Sequence, residues 1–189
     1  SFAIGQIYSV DKNNDIPNKN AILFIGSHTY SMNYPEHILK YFQEISLKPH
    51  QYIIIVGKGD GCLNPNIKIP ENIIYIYSSN INYQHNKIKF MPMGSDFRSI
   101  KSFSKLNISN SNRNILCYSN FSLTTHKKRE LVYNLIKNKN FIKFDHMGKF
   151  LNYSISRDQF YTNLSNSKFV ICPRGNALDT FRFYDTIYA

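Results

Sequence analysis

The chain has 189 residues, 42% of them hydrophobic and 15% aromatic, with a formal net charge of +11. That length allows one sizeable domain or two small ones, and that apolar content excludes a disordered chain. No stretch approaches the roughly 18 apolar residues a membrane-spanning helix needs, and no charged-then-apolar leader opens the chain.

The positive balance favours acidic partners such as phosphorylated small molecules, nucleic acid or anionic lipid. Yet Lys and Arg are dispersed, with only Lys127-Lys128-Arg129 adjacent. Abundant Asn, Lys and Ile also accumulate under AT-rich coding, so charge alone decides nothing. The three cysteines, Cys62, Cys117 and Cys172, form no CxxC pair. Each lies in or beside an apolar stretch and reads as a buried thiol, which fits a reducing, cytoplasm-like compartment. Ser1 is not an initiator residue and Ala189 falls within a predicted helix, so a fragment trimmed at both ends is expected.

In chain order, Ala21 to Ile25 is a short apolar run closed by Gly26 and predicts a buried strand. Pro35 opens a helix whose apolar face is Ile38, Leu39, Phe42 and Ile45. Tyr52 to Val56 and Ile73 to Tyr77 are further strands, and Lys87 to Met91, before Pro92-Met93-Gly94, is a fourth. Continuous apolar strands alternating with amphipathic helices predict a parallel sheet covered on both faces. Ser104 to Asn114 is polar and reads as a linker. The pattern then restarts with a strand over Asn114 to Tyr118. A helix over His126 to Lys137 is expected to turn Leu131, Leu135 and Val132 inward. Phe141 to Phe144 is a strand, Arg157 to Asn166 a helix, and Lys168 to Cys172 a strand. The fold class is α/β in two Rossmann-like parallel-sheet units, 1–106 and 107–189, the second incomplete. Ligands of such sheets bind at the carboxyl ends of strands.

Chemistry concentrates in Cys172-Pro173-Arg174-Gly175-Asn176-Ala177-Leu178-Asp179-Thr180-Phe181-Arg182-Phe183-Tyr184-Asp185. Pro173 stops the strand, and Gly175 permits a tight turn with close backbone approach to a ligand. Asp179 or Thr180 can cap the next helix, whose start suits phosphate. Arg174 adds an always-charged clamp. On the helix, Phe181, Tyr184 and Tyr188 share a face that should pack inward, leaving Arg182 and Asp185 as surface neighbours. Asp185 can accept hydrogen bonds from two sugar hydroxyls. An ordinary strand–turn–helix with an exposed Arg182–Asp185 ion pair explains the same residues.

This segment resembles the signature of the exostosin-like glycosyltransferases: an apolar strand, Cys-Pro-x-Gly, a short loop, then Arg-aromatic-x-Glu-Ala. Asn120-Phe121-Ser122 with Thr125-His126 and Arg129 is similar to what precedes that signature in bacterial and viral members. Lys89-Phe90-Met91-Pro92-Met93-Gly94 is similar to their Ile-Pro-Ile-Gly turn. The resemblance covers residues 87–189. It implies a GT-B architecture, two Rossmann-like domains with a nucleotide-sugar donor held mainly by the C-terminal one. By position it implies Arg174, Gly175 and Arg182 at the donor diphosphate. Asp185 would bind the ribose, where the family usually has Glu. Arg129, after the first strand of the second unit, can reach the diphosphate or stay solvated beside Lys127 and Lys128. His28, after the first strand of the first unit, is a candidate base for an acceptor hydroxyl.

Gly57-Lys58-Gly59-Asp60-Gly61 fits neither common phosphate-loop pattern and reads as a turn. His37, His50, His85, His126 and His146 show no metal-ligand spacing, so metal-independent transfer without a cofactor is the expectation. The expected partners are a nucleotide sugar and a glycan or glycoconjugate acceptor. The alternatives are a family member that binds nucleotide sugars without turnover, and a basic nucleic-acid-binding module. The latter lacks an RNP-like motif, a helix-turn-helix signature and a clustered basic helix.

Overall fold

Isoleucine-rich runs too short for helices and bounded by turn residues become strands in the first half of the chain. The computed structural model describes residues 7–10, 15–26, 34–57, 62–95, 97–105, 112–145 and 154–189, with the backbone alone at 34–37 and 97–98. Strands β1 (Ile7–Ser9), β2 (Ala21–Gly26), β3 (Tyr52–Gly57), β4 (Ile73–Ser78) and β5 (Ile88–Phe90) form one parallel sheet in the order β1-β2-β3-β4-β5. Helix α1 (Tyr34–Ser46) follows β2, with Pro35 in its first turn, where a missing N–H costs nothing. Its buried stripe is Ile38, Tyr41, Phe42 and Ile45. Leu39, placed on that face by the sequence reading, is 40% exposed.

Burial alternates along the central strands. Ala21, Leu23 and Ile25 on β2 and Tyr52, Ile54 and Val56 on β3 are buried, whereas Ile22, Phe24, Ile53 and Ile55 are half-buried. The expected covering of both faces is uneven: one face is sealed and the other is half-buried. The reason is topological. Parallel strands taken in chain order, each joined by the usual right-handed crossover, lay their connections over a single face. Two polar contacts tie the edges of this layer. Asn72 Nδ2 donates to the Ile45, Lys48 and His50 carbonyls at 2.8, 3.0 and 3.1 Å, closing the end of α1. Tyr52 donates its hydroxyl to the Pro17 carbonyl at 2.8 Å.

The second sheet is parallel too, with β6 (Ile115–Ser119), β7 (Ile142–Phe144) and β8 (Ser167–Ile171) in the order β7-β6-β8. Around it lie α2 (Phe97–Phe103), α3 (Lys127–Ile136), α4 (Arg157–Ser165) and α5 (Phe181–Tyr188). Phe103, Tyr118, Tyr161, Leu164 and Ala189 make its core, with Ile115, Phe160 and Val170 packed on them. The chain divides into Ser1–Met93 and Gly94–Ala189. The α2 helix, absent from the elements expected from sequence, goes with the second unit. Tyr161 donates to Ser99 Oγ at 2.6 Å, and its ring meets Phe103 edge-on at 4.6 Å.

The inward face of α3 also differs from expectation. Leu131 and Leu135 are 64% and 72% exposed, and the buried residues are Arg129 and Ile136. A leucine at helical spacing is a poor guide where another residue on the helix has hydrogen-bond acceptors waiting beneath it.

Candidate functional site

The strand order reverses at β6: the chain steps to one side to form β7, then crosses back to form β8 on the other. Loops leaving the two strands at such a point diverge and open a crevice at the carboxyl end of the sheet, which is where ligands of open parallel sheets bind. In this chain those loops are Asn120-Phe121-Ser122, running into a 3₁₀ turn over Leu123–Thr125, and Cys172-Pro173-Arg174-Gly175. Ser119, Asn120, Phe121 and Ser122 are all buried, although three of the four are polar.

Arg129 explains part of that burial. It is 9% exposed, and its guanidinium donates from Nε to the Arg174 carbonyl at 2.8 Å. Nη1 donates to the Ser122 carbonyl at 3.2 Å, and Nη2 to the Pro173 carbonyl at 3.3 Å. The group also lies over the Phe121 ring at 5.8 Å. Burial, and secondly the nearby Arg182, pull its pKa down to about 10, so it stays charged at neutral pH. A Cβ added at Gly175 would come within 3.2 Å of Nη2, so the glycine leaves room for this side chain.

Arg174 is half-buried and curls over its own turn, donating to the Gly175 carbonyl at 3.3 Å and the Asn176 carbonyl at 3.1 Å. His126 caps α3, its Nδ1 accepting from the Lys128 N–H at 3.1 Å. Desolvation first, then the charges of Arg174, Lys128, Lys127 and Arg129, hold its pKa below the usual imidazole value. A neutral ring keeps the cap acceptor available.

At the start of α5, Thr180 is the N-cap residue but makes no side-chain cap bond. Asp179 instead braces the turn: Oδ1 accepts from the Thr180 N–H at 2.9 Å and Oδ2 from the Tyr184 hydroxyl at 2.7 Å. The expected inward face of the helix holds only in part: Tyr184 is half-buried and Tyr188 stacks on Phe103 at 6.4 Å. Phe181 and Tyr188 are 44% and 58% exposed, while Asp185 is 6% exposed and Arg182 half-buried. Arg182 turns inward because it has partners there. Nη1 donates to Asn120 Oδ1 at 3.3 Å, and the guanidinium stacks over Phe160 at 4.8 Å. Burial lowers its pKa. The Arg182–Asp185 pair is thus not a solvated surface pair. Cys172 joins the same stripe, with Sγ 3.4 Å from Thr186 Oγ1 and a thiol pKa pushed up by burial.

A second polar network lies at the ends of β6 and β7. Asn163 donates to Asp145 Oδ2 at 2.9 Å and accepts from Lys143 Nζ at 2.9 Å and Gln159 Nε2 at 3.0 Å. The Tyr118 hydroxyl lies near this group without a hydrogen bond of full geometry, its pKa raised by burial.

Arg129, Arg174 and Gly175 therefore come together, Arg182 and Asp185 lie on the inward stripe of α5, and Asp179 and Thr180 shape its start. His28 lies outside the described residues, as do Lys58 to Gly61 of the glycine-rich turn. Sequence reasoning gave no role to Asn120, Ser122 or Phe160, the partners that hold the arginines. The polar run after an apolar strand was the available signal for the first two. The arginines and the Lys127-Lys128 pair bring cationic groups to this end of the sheet, beside the carboxylates of Glu130, Asp145, Asp179 and Asp185. Among the described residues, no group of three or more His, Cys, Asp or Glu could hold a metal ion, and no helix is long and apolar enough to cross a membrane. In comparisons with known proteins, no family model and no curated protein matches the chain.

Proposed function

We propose that the chain is an exostosin-like glycosyltransferase of GT-B type. It would transfer a sugar from a nucleotide-diphosphate donor to a hydroxyl of a glycan or glycoconjugate acceptor. One observation carries the reading: the segment resembling the family signature, Cys172 to Gly175 and onward, leaves β8 beside the end of β6, at the reversal of strand order. Position, cationic groups and motif agree there.

In the reaction the acceptor oxygen attacks the anomeric carbon. The bond from that carbon to the diphosphate oxygen breaks, the electron pair leaving with the diphosphate, and the hydroxyl proton passes to a base. Arg174 is the arginine of this crevice whose hydrogen bonds stay within its own turn, so it is best placed to reach developing charge on the leaving group. His28 remains the candidate base by sequence position. Isothermal titration of the full chain with UDP and with GDP tests the reading. Micromolar to millimolar binding of one of them is the expected outcome, and no binding of either at millimolar concentration sinks it.

A second reading, donor binding without turnover, draws on Asp185. Its carboxylate is shorter than the family's Glu and 6% exposed, so a donor held through its diphosphate would not be fixed at the ribose in the geometry that transfer needs. Asp185→Glu is expected to raise release of nucleoside diphosphate from a nucleotide sugar under this reading, and to leave it unchanged or lower if the wild type is already active.

A further inference from the structure

Arg129 was expected either to reach the ligand or to stay in solvent, and its surroundings fit neither. Each of its three nitrogens donates to a main-chain carbonyl, those of Ser122, Pro173 and Arg174. These carbonyls belong to loops just past the ends of β6 and β8, where no further strand among the described residues supplies N–H partners. The Ser122 carbonyl also accepts from the Thr125 hydroxyl at 3.5 Å and opens the 3₁₀ turn, whereas the Pro173 and Arg174 carbonyls, left without a donor, would each cost free energy comparable to a lost hydrogen bond. The acceptors come from segments 7 and 44 to 45 residues away, so the guanidinium bridges the two walls of the crevice. With 9% of the residue exposed, little of the fork remains for a ligand.

We propose that Arg129 is a positioning residue that ties the loop after β6 to the loop after β8, fixing the Pro173-Arg174-Gly175 backbone presented to an anionic ligand without touching that ligand. The ligand part rests on the nucleotide reading above; the positioning part does not. Lysine keeps the charge but has one nitrogen and cannot span three carbonyls. Gly175 belongs to the same device, since a Cβ there would press on Nη2 at 3.2 Å without removing any donor.

The test compares the full wild-type chain with Arg129→Lys, Arg129→Gln and Gly175→Ala. It combines amide hydrogen exchange at residues 174–176 with UDP and GDP titration, expressed per folded molecule. Loss of charged hydrogen bonds to carbonyls predicts that both Arg129 variants exchange faster at 174–176 and bind the nucleotide at least about tenfold more weakly, by equal factors. Gly175→Ala should show a smaller change in the same direction. Wild-type affinity in Arg129→Lys would overturn the proposal, because charge alone would then suffice. So would unchanged exchange at 174–176. If neither Arg129 variant folds, Gly175→Ala decides, and wild-type exchange and affinity there count against the proposal. If the wild type binds neither nucleotide, the donor reading falls while the exchange comparison still decides positioning.

Discussion

The first sheet lays its strands in chain order and the second turns back at β6, and the two units spend their buried volume differently. In the first, the sealed face is built from Leu23, Ile25, Ile54, Val56, Ile73 and Ile76, all at most 1% exposed. In the second, buried residues include Ser119, Asn120, Ser122, Arg129, Asn163 and Asp185 beside a smaller aromatic core. Among the described residues the first unit also buries polar residues, Ser78, Ser79 and Asn80 at the carboxyl end of β4, but fewer than the second. A reversal separates two neighbouring loops, and here the Pro173 and Arg174 carbonyls take their donors from Arg129. Departures from local rules occur in both units, Leu39 in the first among them, but most of the buried polar residues lie in the second.

The comparison predicts that stability losses concentrate in the first unit and ligand losses in the second. The largest effect should come from Ile54→Ala, at a position 0% exposed. A loss of about 2–5 kcal/mol in denaturant unfolding is expected, with nucleotide affinity per folded molecule unchanged. A change in that affinity would break the comparison. Asn72→Ala removes the donor that closes α1 and should cost about 1–3 kcal/mol in the same assay.

In the second unit, α3 offers an internal control. Ile136→Ala should destabilise measurably, whereas Leu135→Gln, at 72% exposure, should stay within about 0.5 kcal/mol of wild type. The reverse order would restore the leucine face that periodicity suggested. The smallest effect concerns pH. Because His126 titrates lower when folded than when unfolded, the unfolded chain binds more protons near the ordinary imidazole range. Its contribution therefore grows as pH rises through that range and is lost on acidification below the folded value. His126→Asn, which keeps a cap acceptor without titrating, should flatten that part of the stability profile measured by thermal melts across pH 5 to 8.

Much of the scaffold was legible because its signals are local. Runs such as Tyr52 to Val56 and Lys168 to Cys172 are apolar, β-rich and bounded by turn residues, and they became β3 and β8. The three residues of β1 carry no such pattern and went unseen. The reversal at β6 is a property of pairing between distant strands and leaves no mark on either one. The faces of α3 and, in part, α5 failed for the same reason. Periodicity assumed that Leu131 or Phe181 would turn inward, yet Arg129 and Arg182 hold those faces through partners 44 to 45 and 62 residues away. The Pro-Arg-Gly turn was visible as a candidate anion site. That its glycine makes room for a buried arginine was not.

Nucleotide binding where β6 and β8 end, as proposed, would leave its mark on the backbone amides of the two loops. Hydrogen exchange of the full chain with and without saturating UDP or GDP tests it most directly. Added protection in segments 119–122 and 172–176 is the expected result; protection confined to the carboxyl ends of β2, β3 and β4, with none at those two loops, would overturn it.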